Sequence, residues 1–306
     1  MNGQTAIITG ASSGLGFACA DALLERDPTW HVVLAVRDVD RGRQAMAQLH
    51  APERCTVMAL DLASLKSVRR FGERYADVGL PPTRALVCNA GTQVVSAPRV
   101  TEDGYELMFG VNHLGHFALA CELLEQLARP ARIIVVSSDT HDPAKRVAMP
   151  APSYTTAAAL AHPTDEFNPR TTGRRRYTTS KLCNVLFAYE LHRREAAGGI
   201  AVNAFNPGLM PGSGLARDYG RGQRFAWRYV LPVLRILPQV HSVGTSGNRL
   251  AALVGDPRYS DVSGEYFDGL TRIRSSVDSY DLDKALDLWQ TSERLVRHAV
   301  ATGSHA

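Results

Sequence analysis

Short apolar runs alternate with amphipathic stretches along the first two thirds of the chain. Thr5–Thr9, His31–Val36, Thr56–Leu60, Ala85–Cys88, Arg132–Val136 and Ile200–Phe205 read as strands. Leu15–Glu25, Leu65–Tyr75, His113–Leu127 and Ser180–Arg194 lie between them and read as helices. The strand runs are rich in Val, Ile and Ala and do not alternate with polar residues, which marks strands buried on both faces. Alternation of strand and helix predicts an α/β fold: a doubly wound parallel sheet with helices on both faces. Right-handed crossovers then gather the strand C-termini on one edge, where ligands bind.

No internal repeat or domain boundary interrupts the pattern, so one domain is expected over residues 1–302. Two segments break the rhythm. Residues 139–176, rich in Pro, Ala and Thr, read as a long surface insertion. Residues 209–240 mix Gly and Arg with Phe225, Trp227, Tyr229 and a run of aliphatics. Three roles are open for that segment: a core helix, a lid over the substrate, or, through residues 224–237, peripheral contact with a membrane. Arg224, Arg228 and Arg235 interleave there with apolar residues, as in an interfacial helix.

Composition narrows the class. The chain has 306 residues, 45% of them hydrophobic, which suits a globular protein with a substantial core. No apolar run approaches the ~20 residues of a membrane-spanning helix. Met1 leads almost directly into the first strand run, so no secretory leader is expected. The cysteines (Cys19, Cys55, Cys88, Cys121 and Cys183) are odd in number and scattered, without disulfide or metal-ligand spacing. A reduced cytoplasmic setting is expected. The net charge of +4 is spread along the chain, so no nucleic-acid partner is expected. Only four lysines stand against 30 arginines. A lysine at a chemically telling position is therefore less easily dismissed as filler.

Such a position follows from the glycine turn. Gly10-Ala11-Ser12-Ser13-Gly14-Leu15-Gly16 joins the first strand to the first helix. Glycines there permit a tight turn and a close approach of backbone to a pyrophosphate, which the helix N-terminus favours. The second strand ends in Val36-Arg37-Asp38. An acidic residue at that edge grips a ribose 2′-hydroxyl in NAD enzymes; Arg37 instead suits a 2′-phosphate, and NADP is the expected cofactor. Asp61-Leu62, past the third strand, offers an acceptor to the adenine amino group, or else Asp61 caps the helix that starts near Ser64. Asn89-Ala90-Gly91 ends the fourth strand in small residues that let cofactor and backbone come close.

Tyr177 and Lys181 are four apart and share one helix face. A phenol with a pKa of about 10 is a poor acid or base at neutral pH. A nearby ammonium favours its phenolate, which would let Tyr177 exchange a proton with a carbonyl or alcohol oxygen. Ser138, past the strand Arg132–Val136, is placed to hydrogen-bond the same oxygen. Asn112 is placed to hold a water in a proton relay.

Taken in order, Thr9-Gly10-x-x-x-Gly14-x-Gly16, Asn89-Ala90-Gly91, Asn112, Ser138, Tyr177-x-x-x-Lys181 and Pro207-Gly208 resemble the short-chain dehydrogenase/reductase family, over nearly the whole chain. The resemblance implies a Rossmann-type fold and a catalytic tetrad of Asn112, Ser138, Tyr177 and Lys181. It also implies that Lys181 binds the nicotinamide ribose and that Pro207-Gly208 borders the cofactor. A narrower likeness, in Asn112-His113-Leu114-Gly115-His116-Phe117, Ser180-Lys181-Leu182-Cys183-Asn184 and Arg37-Asp38, is to the retinol dehydrogenase and light-dependent protochlorophyllide reductase branch. Asp61-Leu62-Ala63-Ser64-Leu65, Leu191-His192-Arg193-Arg194 and Lys284-Ala285-Leu286-Asp287-Leu288-Trp289 resemble the second of these. Protochlorophyllide reductases typically have a cysteine after the Pro-Gly pair; this chain has Leu209. The implied activity is hydride transfer between NADPH and a bulky hydrophobic carbonyl or alcohol. The alternatives are light-driven protochlorophyllide reduction and a non-catalytic NADP-binding sensor.

Other signals are given plainer roles. His113 and His116 lack a third ligand and are expected to serve packing, with no metal. Cys183 is expected to be a buried small hydrophobe. Arg174-Arg175-Arg176 is expected to be solvated charge. A hydrophobic small molecule is the expected partner, and oligomerisation stays open.

Overall fold

All six apolar runs form strands. A computed structural model describes residues 3–145, 147, 149–168, 171–195, 197–210 and 241–303. The strands are β1 (Gln4–Thr9), β2 (Trp30–Val36), β3 (Cys55–Ala59), β4 (Thr83–Cys88), β5 (Leu127–Val136) and β6 (Ile200–Asn206). Two three-residue strands, β7 (Tyr266–Asp268) and β8 (Thr271–Ile273), extend the sheet, and neither has enough residues to show a period. The order is β3-β2-β1-β4-β5-β6-β7-β8, parallel except for β8, which returns antiparallel on β7. Strand order reverses between β1 and β4, which opens a crevice at their C-terminal ends.

Alternate side chains of each strand feed two cores. Ile7, Val33, Leu86, Ile133 and Val202 face one layer of helices, and Ala6, Ile8, Val32, Leu34 and Ile134 face the other. On the second face α1 (Gly14–Arg26) packs against α7 (Val243–Gly255). Gly247 makes the crossing close: a Cβ there would stand 2.4 Å from Ala18 Cβ. The first face carries α3 (Leu65–Asp77), α4 (Leu107–Gln126), α6 (Thr172–Glu195) and α8 (Leu282–Gly303). The short α2 (Val39–Met46) follows β2, and α5 (Ala157–Ala161) precedes α6.

Three expectations are corrected. The helix expected from His113 begins at Leu107 and winds through a π-helical turn, Gly110–Leu114, before resuming α geometry. It is apolar and long enough to cross a membrane, yet most of it is buried in the core. The insertion at residues 139–176 ends earlier than expected, at the helix that begins with Thr172, and although mostly at the surface it is anchored to the core. Ala157 and Ala161 are fully buried, and Tyr154 Oη and the Ala157 amide both donate to Asp287 Oδ2 of α8 at 2.8 Å. The helix that carries Tyr177 and Lys181 already begins at Thr172, so the three arginines belong to it. Arg176 is paired rather than solvated, 2.7 Å from Asp165 and lying over the Phe167 ring. The proposed lid or membrane segment, residues 209–240, lies outside the described residues except for Leu209 and Met210.

Candidate active site

Gly10 (φ +68°) and Gly14 (φ +61°) sit in the left-handed region that glycine adopts without strain. A Cβ on Gly10 would press 3.0 Å against Ala90, whereas the space beside Gly14 is open. Ser13 caps α1 by position only, since its side chain makes no capping hydrogen bond, and no acidic residue lies in the first turn. The helix thus presents amide donors and its positive end without an internal anion, a cradle that fits a dinucleotide's pyrophosphate. Gly16 has a different task. Its Cβ would fall 2.5 Å from Asn89 Nδ2 and 3.0 Å from the Gly10 carbonyl, so it seats α1 against the end of β4.

Thr9 ties the turn together. Its Oγ1 accepts the amides of Asn89 and Ala90, both at 2.9 Å, while Asn89 Nδ2 donates to the Thr9 carbonyl at 2.7 Å. Arg37 stands exposed just past β2. Asp38 spends its carboxylate on the N-terminus of α2, accepting from the Arg41 amide at 3.0 Å. Asp61 accepts the Ala63 amide at 2.9 Å. The cap of α3 is Ser64, so Asp61 shapes the turn before the helix and does not cap it. Leu62 is buried in the core, where its carbonyl abuts Gly115.

Tyr177 and Lys181 are buried on one face of α6, with Lys181 Nζ 5.7 Å from the Tyr177 ring centroid. Lys181 Nζ donates to the Val136 carbonyl at 3.3 Å, which fastens α6 to the end of β5. Ser137 Oγ to the Lys181 carbonyl and Asn184 Nδ2 to the Val136 carbonyl reinforce that junction. Burial pushes the Lys181 ammonium down to about 8, which leaves it charged at neutral pH. Gly91 completes the group: a Cβ there would lie 3.4 Å from Asn112 Oδ1 and 3.7 Å from Lys181 Nζ.

Asn112 sits in the π turn with both ends of its amide occupied. Oδ1 accepts from the Thr92 amide at 2.7 Å, and Nδ2 donates to the Thr92 carbonyl at 3.0 Å and to Ser180 Oγ at 2.9 Å. Both side-chain donors of Asn112 are therefore already used. Ser138 Oγ donates to Asp139 Oδ1 at 3.1 Å and accepts from the Thr140 amide at 3.3 Å. Gly208 (φ +76°) follows β6, and Ser246 Oγ of α7 holds the Pro207 carbonyl at 2.7 Å. Beside Asp139 and Gly208 opens a cavity of about 380 Å³.

Two histidines complete the frame, beyond the roles expected of them. His116 Nδ1 lies 3.1 Å from the Asn112 carbonyl, which can only accept, so Nδ1 carries the proton. Its Nε2 then accepts from Thr9 Oγ1 at 2.9 Å. His116 thereby links the glycine turn to Asn112. His141 does the same for Ser138: Nδ1 donates to the Ser138 carbonyl at 2.6 Å, and Nε2 accepts the Ser276 amide at 3.1 Å. His113 packs among Phe109, Phe117 and Phe187, bonded to Ser292 of α8. A histidine spacing within the Asn112 motif signals none of these partners, which come from distant elements. Cys183 is buried, as expected, and burial raises its thiol pKa.

A doubly wound parallel sheet with a glycine cradle at its switch point and a Tyr-Lys pair beside it defines a dinucleotide-dependent oxidoreductase. The family model for short chain dehydrogenases matches residues 4–159. The WW domain-containing oxidoreductase of Danio rerio is 34% identical, across 97% of this chain and 69% of its own. Protochlorophyllide reductase A, chloroplastic, of Oryza sativa subsp. japonica is 36% identical, across 95% of this chain and 80% of its own. Among solved structures, a blue fluorescent protein from a metagenomic library, in complex with NADPH, shares the fold. Its TM-score is 0.64 at 24% identity, over 88% of this chain and 97% of that one. The chain belongs to the short-chain dehydrogenase family.

Proposed function

We propose that the protein is an NADPH-dependent oxidoreductase of bulky, largely apolar carbonyl compounds and their alcohols. The observation that carries this reading is the buried Tyr177–Lys181 pair, with Lys181 Nζ beside Gly91, whose neighbour Ala90 packs on the glycine turn. NADPH, when bound, supplies the hydride that reaches the carbonyl carbon. Tyr177 gives its phenolic proton to the carbonyl oxygen, and in the reverse direction takes one from the alcohol. Lys181 stabilises the negative charge left on the Tyr177 oxygen and would hold the nicotinamide ribose of the bound cofactor. Ser138 turns from Asp139 to donate to the same oxygen. The Asn112 backbone, oriented through His116, anchors the water that resupplies the proton.

NADPH is favoured over NADH by the second strand. Arg37 is exposed at its end, and Asp38, the acidic residue that would compete for a ribose, is committed to capping α2. The NADPH bound by the blue fluorescent protein supports the same choice. All five cysteines are free thiols, which supports a reducing, cytoplasmic setting.

Tyr177→Phe tests the reading. With NADPH and a panel of aryl, steroid and retinoid carbonyls, turnover is expected to fall about 10²- to 10⁴-fold, with the melting temperature unchanged. Retained turnover in a folded variant would refute the mechanism. A second reading, light-driven reduction of protochlorophyllide, is favoured by the 36% identity to the rice enzyme. NADPH and protochlorophyllide, incubated in darkness and under illumination, separate the two: conversion only in light supports the second.

A further inference from the structure

The cavity beside Gly208 is charged, although the substrate proposed above is largely apolar. Its lining includes Asp139, Lys145, His241, Arg249 and Asp268. The chain leaves the site at Leu209 and returns at His241, whose amide donates to the Leu209 carbonyl at 3.0 Å. Arg249, two turns along α7, lays its guanidinium over the missing side chain of Gly269, where a Cβ would stand 3.0 Å from Nη1. The cavity therefore joins the end of β5, the end of β6 and the β7–β8 turn, one residue from Ser138.

Its hydrogen-bonding groups are unequally used. Each carboxylate already has a donor. Asp139 accepts from Ser138 Oγ at 3.1 Å, and Asp268 accepts from Asn206 Nδ2 at 3.0 Å. Lys145 and Arg249 have neither an ion pair nor a side-chain hydrogen bond among the described residues. Arg249 and Lys145 thus bring unused donors to a space that Asp139 and Asp268 also line, with Lys145 acting on Asp139 electrostatically and Arg249 left as the unmatched guanidinium. Leu270, exposed on the same rim, supplies an apolar shoulder. A planar guanidinium backed by a flexible ammonium suits a carboxylate.

We propose that this cavity is a carboxylate subsite: Arg249 and Lys145 take the acidic end of an amphipathic carbonyl substrate, while its carbonyl lies at Tyr177 and Ser138. The inference names the substrate class for the activity proposed above and rests on that reading for the carbonyl's position.

Binding tests it without turnover. 4-Acetylbenzoate, methyl 4-acetylbenzoate and 4-acetylbenzylamine are titrated calorimetrically into the protein–NADP⁺ complex. The acid is expected to bind about tenfold tighter than the ester, the scale of one charge-assisted hydrogen bond. Arg249→Gln should remove most of that preference and Lys145→Gln, at an exposed position, part of it. Equal binding of acid and ester overturns the subsite, as does tighter binding of the amine. So does a preference that survives in an Arg249→Gln/Lys145→Gln protein with an unchanged melting temperature. Selective binding of the acid with no reduction of any ketone would count against the proposed activity and leave the subsite standing.

Discussion

Lys181 shows how a residue's environment assigns its chemistry. Its ammonium is buried and, among the described residues, donates to the Val136 carbonyl; in the proposed mechanism its charge acts on Tyr177 and on the cofactor. Burial alone brings it down to about 8. The sign follows directly: at pH 7 the group is charged and supports a negative Tyr177 oxygen, and above about 8 it is neutral and does not. Carbonyl reduction should therefore slow as pH rises through that value. A pH profile of kcat/KM, with Lys181→Met as the flat and weak reference, checks this. A wild-type profile level to pH 10 would show the ammonium to be held charged by something else. Tyr177 and Lys181 were both legible from a four-residue spacing, because a helix converts that spacing into adjacency. The links made by His116 and His141 were not, since their partners Thr9 and Ser276 are 107 and 135 residues away.

Elements place these residues, and glycines decide how closely the elements approach. α7 presses on α1 through Gly247, and α1 carries the phosphate cradle. Gly247→Val would drive methyl groups into the backbone of Ala18, which lies 2.7 Å from the missing Cβ. The expected cost is about 1–3 kcal/mol, read as a lower urea midpoint. NADPH affinity should weaken with it, because α1 must shift. Unchanged stability and affinity would mean that α7 can move away from α1 freely. The six long strands and most of the central helices were legible because apolar runs buried on both faces leave an unbroken signature. β7 and β8 were not, being three residues each. The surface insertion is tied to the core at Tyr154 and Ala157, because Asp287 of α8 supplies an acceptor that the segment's own composition does not reveal.

Across the whole molecule, buried histidines make acid a stress. Burial lowers His113 to about 3 and His116 to about 4, and His141 is lowered as well. A histidine of ordinary pKa, about 6.5, takes up a proton in the unfolded chain before it can do so in the fold. Stability is thus present above pH 6.5 and is lost as pH falls from there toward the folded values, by roughly 2 kcal/mol each for His113 and His116 at pH 5. Glu106 and Asp139, raised by burial, pull the other way. The informative comparison is therefore wild type against His116→Gln in urea at pH 7 and pH 5. The variant should lose about 2 kcal/mol less between the two; equal losses would show that His116 titrates normally in the fold.

By itself, the sequence determined the fold class, the family and the glycine turn, and it singled out Asn112, Ser138, Tyr177 and Lys181 as the candidate set. These depend on local periodicity and on short spacings that a helix or a strand end turns into geometry. Only the tertiary structure decided that Asp38 is spent on a cap and that Gly16 serves packing. The same is true of the occupied Asn112 side chain and of the cavity shared by Lys145 and Arg249. Each of those outcomes depends on which distant groups meet in space, and pairing between remote segments leaves no periodic trace along the chain.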